Sequence, residues 1–277
     1  MIEINKNYNE SNLETLKRIP NNTIDLTITS PPYDDLRNYK GYSFDFENIA
    51  KELYRTTKKG GVVIWVVGDK THKGSESGTS FKQALYFKEC GFNLHDTMIY
   101  AKSNYIPLTH NRYEQQFEYM FVLSKGKPNT FNPLMKPNKQ VGQIKGGTFR
   151  QIKDKKGKRH KDVGVAKESI KPNIWFYNVG MANSTKDKFA FKHSAIFPEQ
   201  LANDHILSWT NENDLVYDPF MGSGTTAKMS ILNNRNWIGS EISSEYCDII
   251  DERVKKAREE KRKEKDLQAG NLFGNEM

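Results

Sequence analysis

The stretch Asp218-Pro219-Phe220-Met221-Gly222-Ser223-Gly224-Thr225-Thr226-Ala227 decides the fold. An apolar, β-rich run from Leu215 to Tyr217 precedes it and a helical pattern from Thr225 to Leu232 follows, so it forms the turn between a strand and a helix. It contains G-x-G-x-x-A: backbone can approach a ligand closely at Gly222 and Gly224, and the small Ala227 lets helix and sheet pack tightly. The next strand, Trp237 to Gly239, ends at Glu241, 19 residues after Gly222, where an acidic side chain would accept hydrogen bonds from ribose hydroxyls. A nucleotide-like cofactor is expected. The same fingerprint serves nicotinamide dinucleotides, but Asp218 would repel a pyrophosphate and suits a ligand carrying ammonium and sulfonium charges. No second nucleotide-binding half follows it, and S-adenosylmethionine fits both facts better.

Outward from this loop the pattern is that of an α/β protein. Ile24 to Thr29 and Gly61 to Val67 read as strands, and each follows an amphipathic helical stretch, Leu13 to Ile19 and Phe46 to Thr57, with Gly60-Gly61 as a helix stop. This alternation predicts an open parallel sheet. Leu94 to Tyr100 and Tyr119 to Ser124 read as two more strands, a helix opens at Phe197-Pro198-Glu199, and a long charged helix runs from Glu245. The tail from Lys255 to Lys265 reads as an exposed helix end.

A second chemical motif, Thr29-Ser30-Pro31-Pro32-Tyr33, sits where the strand Ile24 to Thr29 ends, the ligand-binding edge of such a sheet. Prolines donate no hydrogen bond and hold the turn stiffly, so the Ser30 side chain and the Pro31 carbonyl become fixed acceptors. Two acceptors gripping the N–H bonds of a base amino group favour a more tetrahedral nitrogen, with its lone pair turned toward a methyl donor. Tyr33 can stack on an extruded base. Methylation at cytosine carbon 5 is disfavoured, because it needs a thiolate and neither Cys90 nor Cys247 stands in a suitable setting.

Net charge is +8 over 277 residues, and its placement is uneven. Lys136 to Lys171 holds twelve Lys or Arg against three Asp or Glu, which leaves the rest of the chain near −1. With five glycines and little apolar periodicity, this segment reads as loops over a nucleic-acid backbone, with Lys153, Lys155, Lys156, Lys158 and Arg159 as DNA contacts. A solvated charged insertion is the plainer alternative. The four tryptophans read as core residues, Trp175 being the best exception because it borders the basic segment. No apolar run is long enough to cross a membrane, no signal-peptide profile opens the chain, and no cysteine or histidine spacing suggests a metal, so a cytoplasmic, metal-free protein is expected.

Together these motifs resemble the amino-directed DNA methyltransferases of the permuted beta group, in which the Ser/Asp/Asn-Pro-Pro-Tyr/Phe motif precedes the cofactor loop. The resemblance implies a Rossmann-like class I methyltransferase sheet with S-adenosyl-L-methionine as cofactor. It implies a catalytic part at 1–125, a target-recognition insertion at 126–190 and a cofactor-binding part at 191–277. It implies catalytic roles for Ser30, Pro31, Pro32 and Tyr33, and cofactor contacts from Asp218, Phe220, Gly222, Gly224, Thr225 and Glu241. His193, in the segment leading toward the cofactor loop, would help hold the methionine part. Such enzymes commonly carry Gly-Asp about 19 residues before the catalytic serine for the adenine contact; here Glu10-Ser11 stands in its place, with Ser11, Asn12 or Glu10 as substitutes. Ser-Pro-Pro-Tyr is more typical of cytosine 4-amino methylation, so Ser30 favours cytosine over adenine. Double-stranded DNA is the expected partner, with a cognate restriction endonuclease and a homodimer as further possibilities. An RNA or protein-glutamine methyltransferase and a silent DNA-binding protein are the competing classes.

Overall fold

The computed structural model describes residues 2–32, 44–105, 112–139, 141, 166–180, 183–193 and 196–273, with the side chains of 269–273 left aside. In chain order the elements are β1 (Lys6–Tyr8), α1 (Asn12–Arg18), β2 (Ile24–Thr29), α2 (Phe46–Thr56), β3 (Thr57–Val67), β4 (Thr71–His72), β5 (Ser75–Glu76), α3 (Thr79–Glu89), β6 (Asn93–Lys102) and β7 (Phe117–Ser124). They continue with β8 (Met135–Pro137), β9 (Glu168–Ile170), β10 (Ile174–Tyr177), α4 (Glu199–Trp209), β11 (Leu215–Asp218), α5 (Thr225–Leu232), β12 (Asn236–Ser240) and α6 (Ser244–Phe273). A 3-10 turn covers Lys188–Lys192.

The main sheet runs β1-β12-β11-β2-β3-β7-β6-β10. Strands β2 and β3 are buried along most of their length; β3, covered on both faces, carries the continuous apolar run Val62–Val67, whereas β2 alternates Ile24, Leu26 and Ile28 with Asp25, Thr27 and Thr29. Leu16 of α1, Ile49 and Leu53 of α2 and Phe87 of α3 pack with Val63, Trp65 and Val67 into one core layer. Helices α5 and α6 build a second layer around Ala227, Ile250, Val254 and Trp237. The fold is a Rossmann-like α/β sheet.

Three expectations are corrected. The sheet is mixed, because β7 is antiparallel to both β3 and β6; among the described residues no helix separates β6 from β7, and the chain returns in the opposite sense. Gly60-Gly61 does not stop α2, which ends at Thr56; both glycines lie inside β3, where a Cβ on Gly60 would strike the Asn129 side chain at 2.2 Å. Trp175 is a core residue like Trp65, Trp209 and Trp237, its ring 4.8 Å from that of the fully buried His205.

Two units emerge: Met1–Asn132 with Asn173–Met277, and Pro133–Pro172. The smaller contains the β8–β9 pair, Met135 opposite Ile170. It is narrower than the expected 126–190 insertion, since β10 hydrogen-bonds to β6 in the main sheet. Among the described residues no helix is long and apolar enough to cross a membrane, and no cluster of three His, Cys, Asp or Glu could hold a metal.

Candidate active site

Strand order reverses between β11 and β2: β11 continues through α5 to β12 on one side, and β2 through α2 to β3 on the other. In an open α/β sheet such a point leaves a crevice beyond the carboxyl ends of the strands. Both chemical motifs end there. Thr29 Oγ1, on the last residue of β2, donates to Asp218 Oδ1, on the last residue of β11, at 2.7 Å, joining positions 189 residues apart in sequence. Ser30, Pro31 and Pro32 therefore line the same cavity, about 810 Å³, as Asp218, Phe220, Gly222 and Thr225. That size suits a ligand of cofactor dimensions.

On the cofactor side, Asp218 is buried and also accepts from Thr226 Oγ1 at 2.6 Å and Phe220 N at 3.0 Å. Burial pushes its carboxyl up to about 6, against the pull of these hydrogen bonds. Three bonds leave acceptor capacity for one more donor on the cavity side. Glu241 accepts from Gly222 N and from Ser243 N, each at 2.9 Å, and burial raises its carboxyl too. Gly222 sits at φ +54, and a Cβ there would lie 3.1 Å from His193 Nε2. The histidine ring in turn lies 4.2 Å from Tyr246. Gly224, at φ +82, precedes α5 without a side chain, so the first-turn amides of that helix are free of a side-chain cap from this position.

Ser11, Asn12 and Glu10 also line the cavity, and each has a local duty. Ser11 caps α1, its hydroxyl accepting from Glu14 N; Asn12 donates to the Pro219 carbonyl at 3.3 Å; Glu10 pairs with Arg18 and accepts from Thr15. Tyr33 and the basic residues Lys153, Lys155, Lys156, Lys158 and Arg159 lie outside the described residues.

The sequence reading missed the group that holds the cofactor loop from behind. Arg253 of α6 is fully buried and donates to Ser223 O and Oγ at 3.0 Å and to Thr225 Oγ1 at 2.9 Å. Its other nitrogens reach Asp187 at 3.1 Å and Glu199 at 2.5 Å, and Lys228 of α5 bridges the same two carboxylates at 2.8 Å each. Burial pushes both carboxyls up, yet Lys228 and Arg253, with Thr185 on Glu199, together hold them below the ordinary range. A signal existed: Ile249, Ile250, Arg253, Val254 and Ala257 recur at helical spacing and form the buried face of α6. Also missed were Tyr100, Lys102, Glu118 and Gly180, which line the cavity beside the proline motif. Tyr100 and Lys102 belong to β6, Glu118 to β7, and Gly180 follows β10, elements that only the sheet brings together.

Residues 24–252 match the N6/N4 DNA methylase family. The chain belongs to this family. Its members are amino-directed methyltransferases, and the cofactor is S-adenosyl-L-methionine. An orphan methyltransferase of Bacillus amyloliquefaciens, M.BamHII, is 63% identical over 236 residues, covering 84% of this chain and 89% of that one. Among solved structures, the PvuII DNA methyltransferase (cytosine-N4-specific) superposes with a TM-score of 0.67 at 22% identity, over 90% of this chain and 85% of that one. The M1.HpyAVI–SAM complex gives 0.59 at 24% identity, over 90% and 98%.

The cavity fits the cofactor. Asp218 and Glu241 would offer it acceptors, for a positive charge and for ribose hydroxyls, and Phe220 an apolar wall, since all three line the cavity. The two cysteines are half-buried, and burial, with Glu241 nearby, pushes the Cys247 thiol up to about 11, far from a nucleophilic thiolate at neutral pH.

Proposed function

We propose that this DNA methyltransferase modifies the exocyclic 4-amino group of cytosine in double-stranded DNA, with the target base extruded from the helix. The observation that carries the reading is the Thr29–Asp218 hydrogen bond, which sets Ser30, Pro31 and Pro32 against the cofactor loop in one cavity. S-adenosylmethionine supplies an electrophilic methyl group. The chain's own residues do the rest. Ser30 and the Pro31 carbonyl accept the two N–H bonds of the amine and orient its lone pair, and Tyr33 stacks on the base. Asp218, Phe220, Gly222, Gly224, Thr225, Glu241, His193 and Ser11 hold the cofactor. No covalent enzyme intermediate is required, because the amine is itself the nucleophile.

Cytosine is favoured by Ser30 at the head of the motif, and the cytosine-N4-specific name of the PvuII enzyme agrees with that choice. The same chemistry on the 6-amino group of adenine is the second reading. The basic residues Lys153, Lys155, Lys156, Lys158 and Arg159 would contact DNA phosphates and the 126–190 region would read the target, in a cytoplasmic enzyme. M.BamHII is named an orphan, which favours a modification enzyme working alone over one with a cognate endonuclease; a homodimer is compatible with either. Mass spectrometry of nucleosides from duplex DNA incubated with the protein and methyl-labelled S-adenosylmethionine tests the reading. Labelled 4-methylcytosine is the expected product; labelled 6-methyladenine would move the assignment to adenine.

A further inference from the structure

The cavity has two ends of different chemistry. Asp218 and Glu241 stand at the ends of β11 and β12 on one side of β2, whereas Lys102 and Glu118, which line the same cavity, belong to β6 and β7 on its other side. Lys102 is the last residue of β6 and Glu118 the second of β7, and their ion pair is 2.7 Å long, with side chains 26% and 15% exposed. Lys102 Nζ also lies 5.9 Å from the Tyr100 ring. Its backbone is fixed: Lys102 N donates to Gln116 O at 2.8 Å, and Gln116 Nε2 donates to Lys102 O at 3.2 Å.

We infer that Lys102, held by Glu118, reads the Watson–Crick edge of the extruded base and is a specificity-determining residue for cytosine. The inference rests on the cytosine reading above and deepens it. Reach supports it. In the order β2-β3-β7-β6, Glu118 is two strand spacings from β2 and Lys102 three, roughly 10 and 14 Å between backbones. Thr29 pairs with Trp65 and Trp65 with Phe121, so Glu118 stands three residues beyond the level of Thr29, at the rim where β2 has ended. Ser30, Lys102 and Glu118 all line the one cavity.

Chemistry supports it as well. With its amine held at Ser30, cytosine presents two further acceptors along the same edge, N3 and then O2. Adenine presents one, N1, followed by a C–H. An ammonium has three donors; Glu118 takes one and leaves two, the number cytosine can use. As a stabilising device the pair would be weak, since half-exposed ion pairs contribute little and more deeply buried ones must offset desolvation. A site built to hydrogen-bond a polar atom strongly rejects an analogue lacking it.

The experiment uses the full-length protein and the duplex site that the labelled methyl maps, with a second duplex whose target cytosine is 3-deazacytosine, which keeps the 4-amino group but has C–H in place of N3. Wild-type enzyme should lose roughly ten- to hundredfold in kcat/KM on the deaza duplex, the cost of one hydrogen bond to a charged group. K102M should be slower by a similar factor on cytosine and nearly indifferent to the deaza change, while its KM for S-adenosylmethionine stays at the wild-type value. E118Q should fall between them, and K102R should keep most of the discrimination. Equal losses for wild type and K102M on the deaza duplex would overturn the assignment of Lys102 while leaving the cytosine reading intact. Loss of cofactor binding in both K102M and E118Q would reduce the pair to a structural brace and overturn it too. A 6-methyladenine product from wild-type enzyme would remove the cytosine reading, and this inference with it.

Discussion

The two ends of the cleft are built differently. At the cofactor end, polar groups are tied into networks before any ligand arrives: Asp218 accepts three hydrogen bonds, Glu241 takes two backbone N–H groups, and Arg253 with Lys228 braces the loop through Asp187 and Glu199. At the base end, Ser30, Pro31 and Pro32 rest on proline stiffness, and the described charged lining is one ion pair on strand ends. The cofactor end spends its stability on a fixed shape, which lowers the ordering cost of binding. In the proposed function the base end has to admit a nucleotide that swings in from a helix. Loss of a group should accordingly damage affinity at one end and rate at the other.

The most severe break of that contrast should come from Ser30→Ala. Turnover should fall on the order of 10²–10³-fold, as when a preorganised polar group is removed from a reacting centre, while calorimetry gives nearly unchanged cofactor affinity. Equal losses in both would merge the two ends into one functional unit. Arg253→Met should act in the opposite way. It leaves Asp187 and Glu199 with one cation between them, and breaking such a buried pair costs about 3–5 kcal/mol, visible as a lower denaturation midpoint together with weakened cofactor binding.

Asp218 sharpens the comparison through pH. Its folded-state carboxyl stands at about 6 against an ordinary 3.8. The folded, cofactor-free protein therefore holds a proton that the unfolded chain releases in that window. Its contribution to stability is full below pH 3.8 and is lost as pH rises through 6. Cofactor affinity should run the other way, since a cationic ligand needs the carboxylate: it should rise by up to about tenfold per pH unit below 6 and then level off. Asp218→Asn should flatten both profiles, measured by thermal unfolding and calorimetry. The smallest effect belongs to the basic segment. Neutralising one residue there, Lys156→Ala, should reduce the slope of log affinity against log salt by about 1; an unchanged slope would remove that residue from the DNA contacts.

Legibility in the sequence followed the range of the interactions involved. The strand Ile24–Thr29, the Gly61 to Val67 part of β3 and the turn after Asp218 are local patterns, and they read correctly because β-branched apolar runs and a glycine turn leave marks within a few residues; the start of β3 at Thr57 did not, because Lys58, Lys59 and the two glycines hide it. Helix α3 was missed for a physical reason: its buried face carries Ser80, Gln83, Ala84 and Phe87, while Phe81 and Leu85 are 51% and 58% exposed, so hydrophobicity points the wrong way. β1 and β10, three and four residues long, are strands only because β12 and β6 pair with them. The same holds in the cavity. Asp218 and Glu241 were found by spacing, whereas Arg253, Lys102 and Glu118 acquire their places only when distant strands and helices meet.

The pairing of β1 with β12, Lys6 opposite Ile238, has one more consequence. Arg258 of α6 reaches the Asn5 carbonyl at 3.3 Å, so the first strand and the last helix are neighbours. A gene reopened at the exposed turn between Asn211 and Asp214, and closed by a linker long enough to span the roughly 22 Å by which α6 runs on past Arg258, would encode the cofactor loop first and the proline motif second. It would still assemble the same cleft. The order in which the two halves are translated is thus a matter of evolutionary history, and the chemistry depends only on their meeting at Thr29 and Asp218.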